Sequence, residues 1–236
     1  MKTKNPIIIA VINAGILSAG AQGTFQNLNF ESASPVSSGN PNDPTQVTFS
    51  SALPGWSGSV GGNPAITVEL NDISLGAASI DILGPGWNFN NPGIIGGNYT
   101  VFLQTFISPE GEVSLSQDGT VPANTASLQF SAWSEYGAAN LSVSFAGNNL
   151  SLVALSSGTS PSGQPYTVYG ASLAPYAGQT GQLEFSAIAN TQPGQVELDD
   201  ISFSTQSVPE PAPFLLTGLG GALFALYRRF APKRRS

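Results

Sequence analysis

Two aspartates stand side by side in the run Leu198-Asp199-Asp200-Ile201. In a strand, neighbouring side chains point to opposite faces unless a bulge intervenes, so one of the two faces the interior or a partner strand. A bare buried carboxylate is costly and needs a metal ion or hydrogen-bond donors. The alternative is that both aspartates make local hydrogen bonds at the surface or in a turn. Glu69 with Asp72, and Glu110 with Glu112, are further acidic pairs. Two carboxylates at the right separation could hydrolyse a glycoside. From Asn5 to Tyr227, however, there is no Lys, Arg, His or Cys to act as base or nucleophile. The chain is therefore expected not to be an enzyme, with a two-carboxylate glycosidase as the remote alternative.

The aromatic residues suggest a different chemistry. Trp56, Trp87 and Trp133 could stack on sugar rings, as could Tyr99, Tyr136 and Tyr176. Trp87 and Phe89 lie in a Gly/Asn-rich stretch, and Trp133-Ser134-Glu135-Tyr136 lies at a strand end beside polar partners. An apolar platform with a few polar groups is what a sugar site requires. Trp56 is expected in the core, Trp133 in the core or at a site, and Trp87 in either place.

The charges are partitioned along the chain. All 7 Lys and Arg residues lie in its two ends, at Lys2, Lys4, Arg228, Arg229, Lys233, Arg234 and Arg235. Of the 14 acidic residues, only Glu210 falls outside residues 22–207, so that middle segment carries a formal charge of −13. Such a surface repels nucleic acid and anionic lipid and favours cations or neutral ligands. The absence of Cys excludes a disulfide framework and a Cys-based zinc site.

Residues 1–21 read as a secretory signal peptide. Lys2 and Lys4 precede an apolar run from Pro6 to Leu17, and Ala19-Gly20-Ala21 gives a small-x-small cleavage pattern, with the cut between Ala21 and Gln22. This predicts export through the Sec machinery. At the other end, Ala212 to Tyr227 is apolar and uncharged. As a helix it would span ~24 Å at about 1.5 Å per residue, short of the ~30 Å hydrocarbon core. The basic residues after Tyr227 stay cytoplasmic by the positive-inside rule.

Pro209-Glu210-Pro211, a single hydrophobic segment at 212–227 and the basic tail 228–236 (Arg228, Arg229, Lys233, Arg234, Arg235) together resemble the PEP-CTERM sorting signal of Gram-negative bacteria. Phe230-Ala231-Pro232 interrupts the basic tail, a departure from the pattern. The resemblance implies recognition by exosortase, a membrane protease that removes the tail near the motif. Family members are exported and associated with exopolysaccharide or biofilm matrix. Localisation would be transient at the inner membrane, then at the cell surface or in the matrix.

Between the ends, short alternating runs are separated by Gly, Pro, Asn and Ser, with no long helical period. The pattern predicts strands near 24–31, 46–50, 66–70, 78–83, 99–107, 112–117, 126–133, 141–145, 150–155, 166–169, 182–187 and 195–204. Ala146-Gly147-Asn148-Asn149 is the clearest hairpin signal. The expected fold is an all-β antiparallel sandwich over residues 22–204, followed by a linker at 205–208 and the sorting signal at 209–236. The segment 84–98 is long for a connection in a compact domain, which marks it as functional or loosely ordered.

Asn29-Phe30-Glu31, Leu53-Pro54-Gly55-Trp56, the stretch Leu173–Phe185 and Leu198-Asp199-Asp200-Ile201 resemble the frame of galactose-binding-like jelly rolls, among them carbohydrate-binding modules. The resemblance implies a jelly roll in which the N-terminal acidic residue approaches the last strand. Glu31, Asp199 or Asp200 and nearby carbonyls would then hold a structural calcium, a hard cation suited to oxygen ligands. It also implies Trp87, Trp133 and Tyr136 as candidate ligand-binding residues. The expected role is a structural or adhesive surface protein, with a carbohydrate-binding module for exopolysaccharide as the alternative.

Overall fold

The computed structural model describes residues 24–73, 76–89, 92–107, 111–135, 139–189 and 191–209. The expected signal peptide with its Ala21–Gln22 cut, Tyr136, Glu110, Glu210, Pro211, the apolar segment 212–227 and the basic tail lie outside the described residues. Among those residues, no helix is long and apolar enough to cross a membrane.

In chain order the strands are β1 (Gln46–Thr48), β2 (Ser57–Val60), β3 (Asn63–Pro64), β4 (Thr67–Leu70), β5 (Ser79–Leu83), β6 (Thr100–Thr105), β7 (Val113–Thr120), β8 (Ser127–Glu135), β9 (Ala139–Phe145), β10 (Asn148–Asn149), β11 (Leu152–Thr159), β12 (Pro165–Ser172), β13 (Thr180–Ala189) and β14 (Gly194–Ser204). They form two sheets, in the order β1-β4-β5-β6-β14-β8-β12-β11 and β10-β9-β13-β7-β2-β3. Every pairing is antiparallel except β4 with β5. The all-β sandwich expected from the alternation is the fold observed.

Alternation puts one face of each strand into the space between the sheets. Leu128, Phe130 and Ala132 of β8 are buried there, as are Val143 and Phe145 of β9 and Leu183, Phe185 and Ala187 of β13. Phe130 meets Phe185 nearly edge to face, with ring centroids 5.2 Å apart. Trp56 joins them at 6.2 Å from Phe185 and donates its indole N–H to the Asn27 carbonyl at 3.0 Å. It is a core residue with its polar edge satisfied, as expected. The hairpin at Ala146-Gly147 takes positive φ at both central residues, 49° and 76°, which matches the twist of the strands it joins.

Two expectations fail locally. Residues 24–31 form no strand. Phe25, Leu28 and Phe30 are all buried, and that spacing cannot come from a period of two. Asn27 and Phe30 adopt φ of 50° and 57°, turning the chain so that all three rings and side chains reach the core. The Gln117 side chain takes the place of a neighbouring strand, accepting from the Gln26 N–H and donating to the Gln26 carbonyl. Likewise, β1 stops at Thr48, and Phe49–Ala52 forms one helical turn (α1) that buries Phe49 and Ala52.

The last strand has both faces covered. Val196 and Leu198 enter the core, while Gln195, Glu197 and Asp199 on the opposite face are equally buried. At Asp200 the ladder with β8 slips, φ reaches 51°, and the Ile201 N–H bonds the Leu28 carbonyl. This is the bulge that an adjacent aspartate pair requires if only one is to be buried.

Candidate functional site

The polar face of β14 is buried because the long connection between β5 and β6 lies over it. That connection is fastened by its own backbone N–H groups to three carboxylates. Gly93 N donates to Glu197 Oε1 at 2.8 Å, and Gly96 N to Asp199 Oδ2 at 3.0 Å. Asn98 N and Tyr99 N both donate to Glu31 Oε1, at 2.7 and 2.9 Å, and the Asn98 side-chain amide reaches Glu31 Oε2 at 2.8 Å. Thr100 ties the set together by accepting from Ile95 N at 2.9 Å and donating to Asp199 Oδ2 at 2.6 Å. The other Asp199 oxygen accepts from Asp200 N at 2.7 Å.

Gly96 and Gly97 are wedged between acidic side chains. A Cβ on Gly96 would stand 2.8 Å from Asp200 Oδ2, and one on Gly97 would collide with Glu31 Oε1. Gly97 also has a φ of 53°. Only glycine lets the backbone come this close. Glu31, Asp199 and Asp200, singled out from the sequence, thus converge on one turn of backbone.

The electrostatics reflect crowded like charge. Burial pushes the Asp199 carboxyl up to about 8, opposed by the Thr100 hydrogen bond and reinforced by Asp200. Asp200 is raised as well, first by partial desolvation and then by the charge of Glu31. The donors that a buried Asp199 needs are supplied by N–H and O–H groups. Among the described residues no group of three or more acidic side chains is set to hold a metal ion.

The anchored loop carries an aromatic pair. Asn71 clamps its start, accepting from Gly84 N at 2.7 Å and donating to the Pro85 carbonyl at 3.1 Å. Trp87 is half-buried, and its indole N–H donates to the Pro92 carbonyl at 2.9 Å. Its ring lies 4.9 Å from that of Phe89, which is 64 % exposed. Trp133 does not join that pair; it stands opposite Glu197 in the ladder, beside the anchored connection, and borders a cleft of about 220 Å³ with Asn140, Leu152 and Tyr169. Pro209 is exposed, just beyond Val208, whose side chain packs over Gly170.

Glu197, Thr100 and Asn98 were not among the residues expected at the site. Glu197 shared the alternation of Gln195 and Asp199, but polar residues at that period signal a wet face. Only the loop makes it a dry one.

No protein-family model matches the chain, and no curated protein matches it in sequence. Among solved structures, the carbohydrate-binding module TmCBM61 in complex with β-1,4-galactotriose aligns over 78 % of this chain and 99 % of its own, with 16 % identity and a TM-score of 0.42. The enzymatically active domain of tailspike protein 4 from bacteriophage CBA120 aligns over 64 % of this chain, with 12 % identity and a TM-score of 0.36. The aligned part spans 19 % of that tailspike chain.

Proposed function

We propose that this chain is an exported, non-catalytic jelly-roll sandwich with an adhesive role, and that it contacts neutral polysaccharide through the Trp87–Phe89 pair. The observation that carries this is an aromatic pair, Phe89 exposed and Trp87 half-buried, on a connection held in place further along by hydrogen bonds to three carboxylates. A rigid aromatic face stacks on the apolar side of a sugar ring at little entropic cost. The uniformly acidic middle segment favours uncharged glycans over anionic ones. The absence of His, Lys and Cys from Asn5 to Tyr227 supports a binding role rather than turnover.

Delivery rests on the ends. The N-terminal segment directs Sec-dependent export, and Pro209-Glu210-Pro211 with its apolar segment and basic tail directs an exosortase-type protease to the chain. The product resides at the cell surface or in the extracellular matrix.

The test is binding of the exported protein to a panel of neutral and acidic glycans. Trp87→Ala and Phe89→Ala should each abolish retention of a neutral glycan in a chain that still unfolds cooperatively, with the exposed Phe89→Ala lowering the melting temperature less than Trp87→Ala, which also loses the bond to Pro92. Retention unchanged in both variants overturns the assignment of the platform.

A further inference from the structure

A second acidic group lies where β1, β4 and β5 meet, apart from the anchored loop. The Thr45 hydroxyl stands 2.8 Å from Asp43 Oδ1, 3.1 Å from Asp72 Oδ2 and 3.3 Å from Glu69 Oε2. A hydroxyl has one proton to donate, so two of these three contacts set a carboxylate oxygen against a lone pair. The other Glu69 oxygen accepts weakly from Gln46 Nε2 at 3.4 Å. One strand further in, Asp81 pairs in register with Glu69 and is fully buried. Its Oδ2 accepts from the Ser79 hydroxyl at 2.9 Å, and its Oδ1 has no hydrogen-bond partner. Phe102, opposite Asp81 on β6, brings no charge. No Lys or Arg exists between Asn5 and Tyr227 to compensate. Neutralisation must come from outside the chain, as a cation or as protons. Among the described residues no acidic group is set to hold a metal ion.

We propose that protons held by Glu69 and Asp81 close this corner, beside the carboxylates of Asp43 and Asp72, making it a pH-sensitive clasp on the sheet edge. A protonated carboxyl can donate to the Thr45 oxygen while Thr45 donates onward, which resolves the surplus of acceptors. The clasp holds β1, because the Leu70 N–H bonds the Thr45 carbonyl where β1 begins to pair with β4. Burial raises the Asp81 carboxyl well above its ordinary range, and burial followed by Asp43 and Asp72 raises Glu69. Raised carboxylates hold protons in the folded state that the unfolded chain releases. The clasp is therefore firm in acid and loosens as pH rises above the ordinary carboxylate range. Release of β1 uncovers the edge of β4, the kind of unpaired strand that recruits another chain.

Amide hydrogen exchange on the exported protein, corrected for intrinsic rates, tests this at about pH 5 and about pH 8. Protection of Leu70, whose N–H bonds the Thr45 carbonyl, should fall across that range by about tenfold or more beyond any fall in β13, which reports global stability, since each pH unit of linked titration is worth a factor of ten. Asp81→Asn, neutral and of equal size, should abolish most of the fall. Glu69→Gln should do so too, and this half-exposed site tolerates replacement should Asp81→Asn not fold. Protection independent of pH overturns the clasp. So does protection at pH 8 that calcium or magnesium restores in the natural chain and not in Asp72→Asn, which would make a cation the neutralising group.

Discussion

Glu31 is the residue at which two accounts of the loop differ most sharply. Its carboxylate accepts three hydrogen bonds of 2.7–2.9 Å, two from backbone N–H groups and one from the Asn98 amide. Bonds to a charged acceptor contribute about 1.5–3 kcal/mol when dry and less where water can replace them. Asn98 is exposed and Tyr99 half-buried, so Glu31→Ala should cost about 2–4 kcal/mol in total. At a urea slope of about 2 kcal/mol per M, the midpoint moves down by about 1–2 M. Glu31→Gln should behave differently. Its amide oxygen can still accept from Asn98 N and Tyr99 N, and the exposed Asn98 side chain can flip to meet the amide NH2. The lost charge assistance is offset in part by relief of repulsion on Asp200, leaving a cost below about 1 kcal/mol. A calcium ligand would show the opposite pattern, because a cation needs the charge. Urea titrations of both variants, with and without chelator, decide between them. Equal damage from Gln and Ala, together with a natural chain destabilised by chelator, would refute the hydrogen-bonded anchor and establish a metal there.

Other outcomes follow from the same site and from the chain ends. Asp199 is raised from 3.8 to about 8, so the folded state binds its proton more tightly than the unfolded state does. Stability should fall as pH rises between those values, by about 6 kcal/mol at most at about 1.4 kcal/mol per pH unit. Urea midpoints of Asp199→Asn should vary less with pH than those of the natural chain, and an identical slope in both would exclude Asp199 as the source. Gly97→Ala should cost more than Gly39→Ala, by about 1–2 kcal/mol in thermal unfolding. Both glycines have positive φ, but only at Gly97 does the new methyl strike Glu31. Intact-mass analysis of the exported protein should show a C-terminus lacking Arg235, and a full-length tail would contradict processing.

Most of the sandwich was legible because strand alternation and burial share a period of two. Leu128, Phe130 and Ala132 announce their face without any knowledge of their partners. The segment 24–31 was misjudged because its buried residues fall at irregular intervals, and left-handed turns at Asn27 and Phe30 are not encoded by hydrophobicity. The two-residue strands β3 and β10 are too short for any pattern to register. The convergence of Glu31 with Asp199 and Asp200 is expected from the sequence; the N–H groups that meet these carboxylates are not. Backbone N–H groups are the same in every sequence, so a carboxylate that receives them is indistinguishable from one that receives a cation. Glu197 was hidden for a related reason, since its burial depends on a loop and not on its own strand.

The position of β14 has a consequence for how the molecule comes into being. It is the last strand of the described residues, yet it lies between β6 and β8 in the middle of the eight-stranded sheet. Until Gly194–Ser204 arrives, that sheet is two separate halves, each with a raw edge offering unpaired N–H and C=O groups. Phe25 near the beginning of the described chain also waits for Phe203 near its end, with their rings 5.2 Å apart in the finished fold. The chain therefore cannot complete its core until residues 194–204 have been made and are free to pair. A molecule cut short before residue 194 would present both edges permanently, and would associate with other chains rather than fold alone.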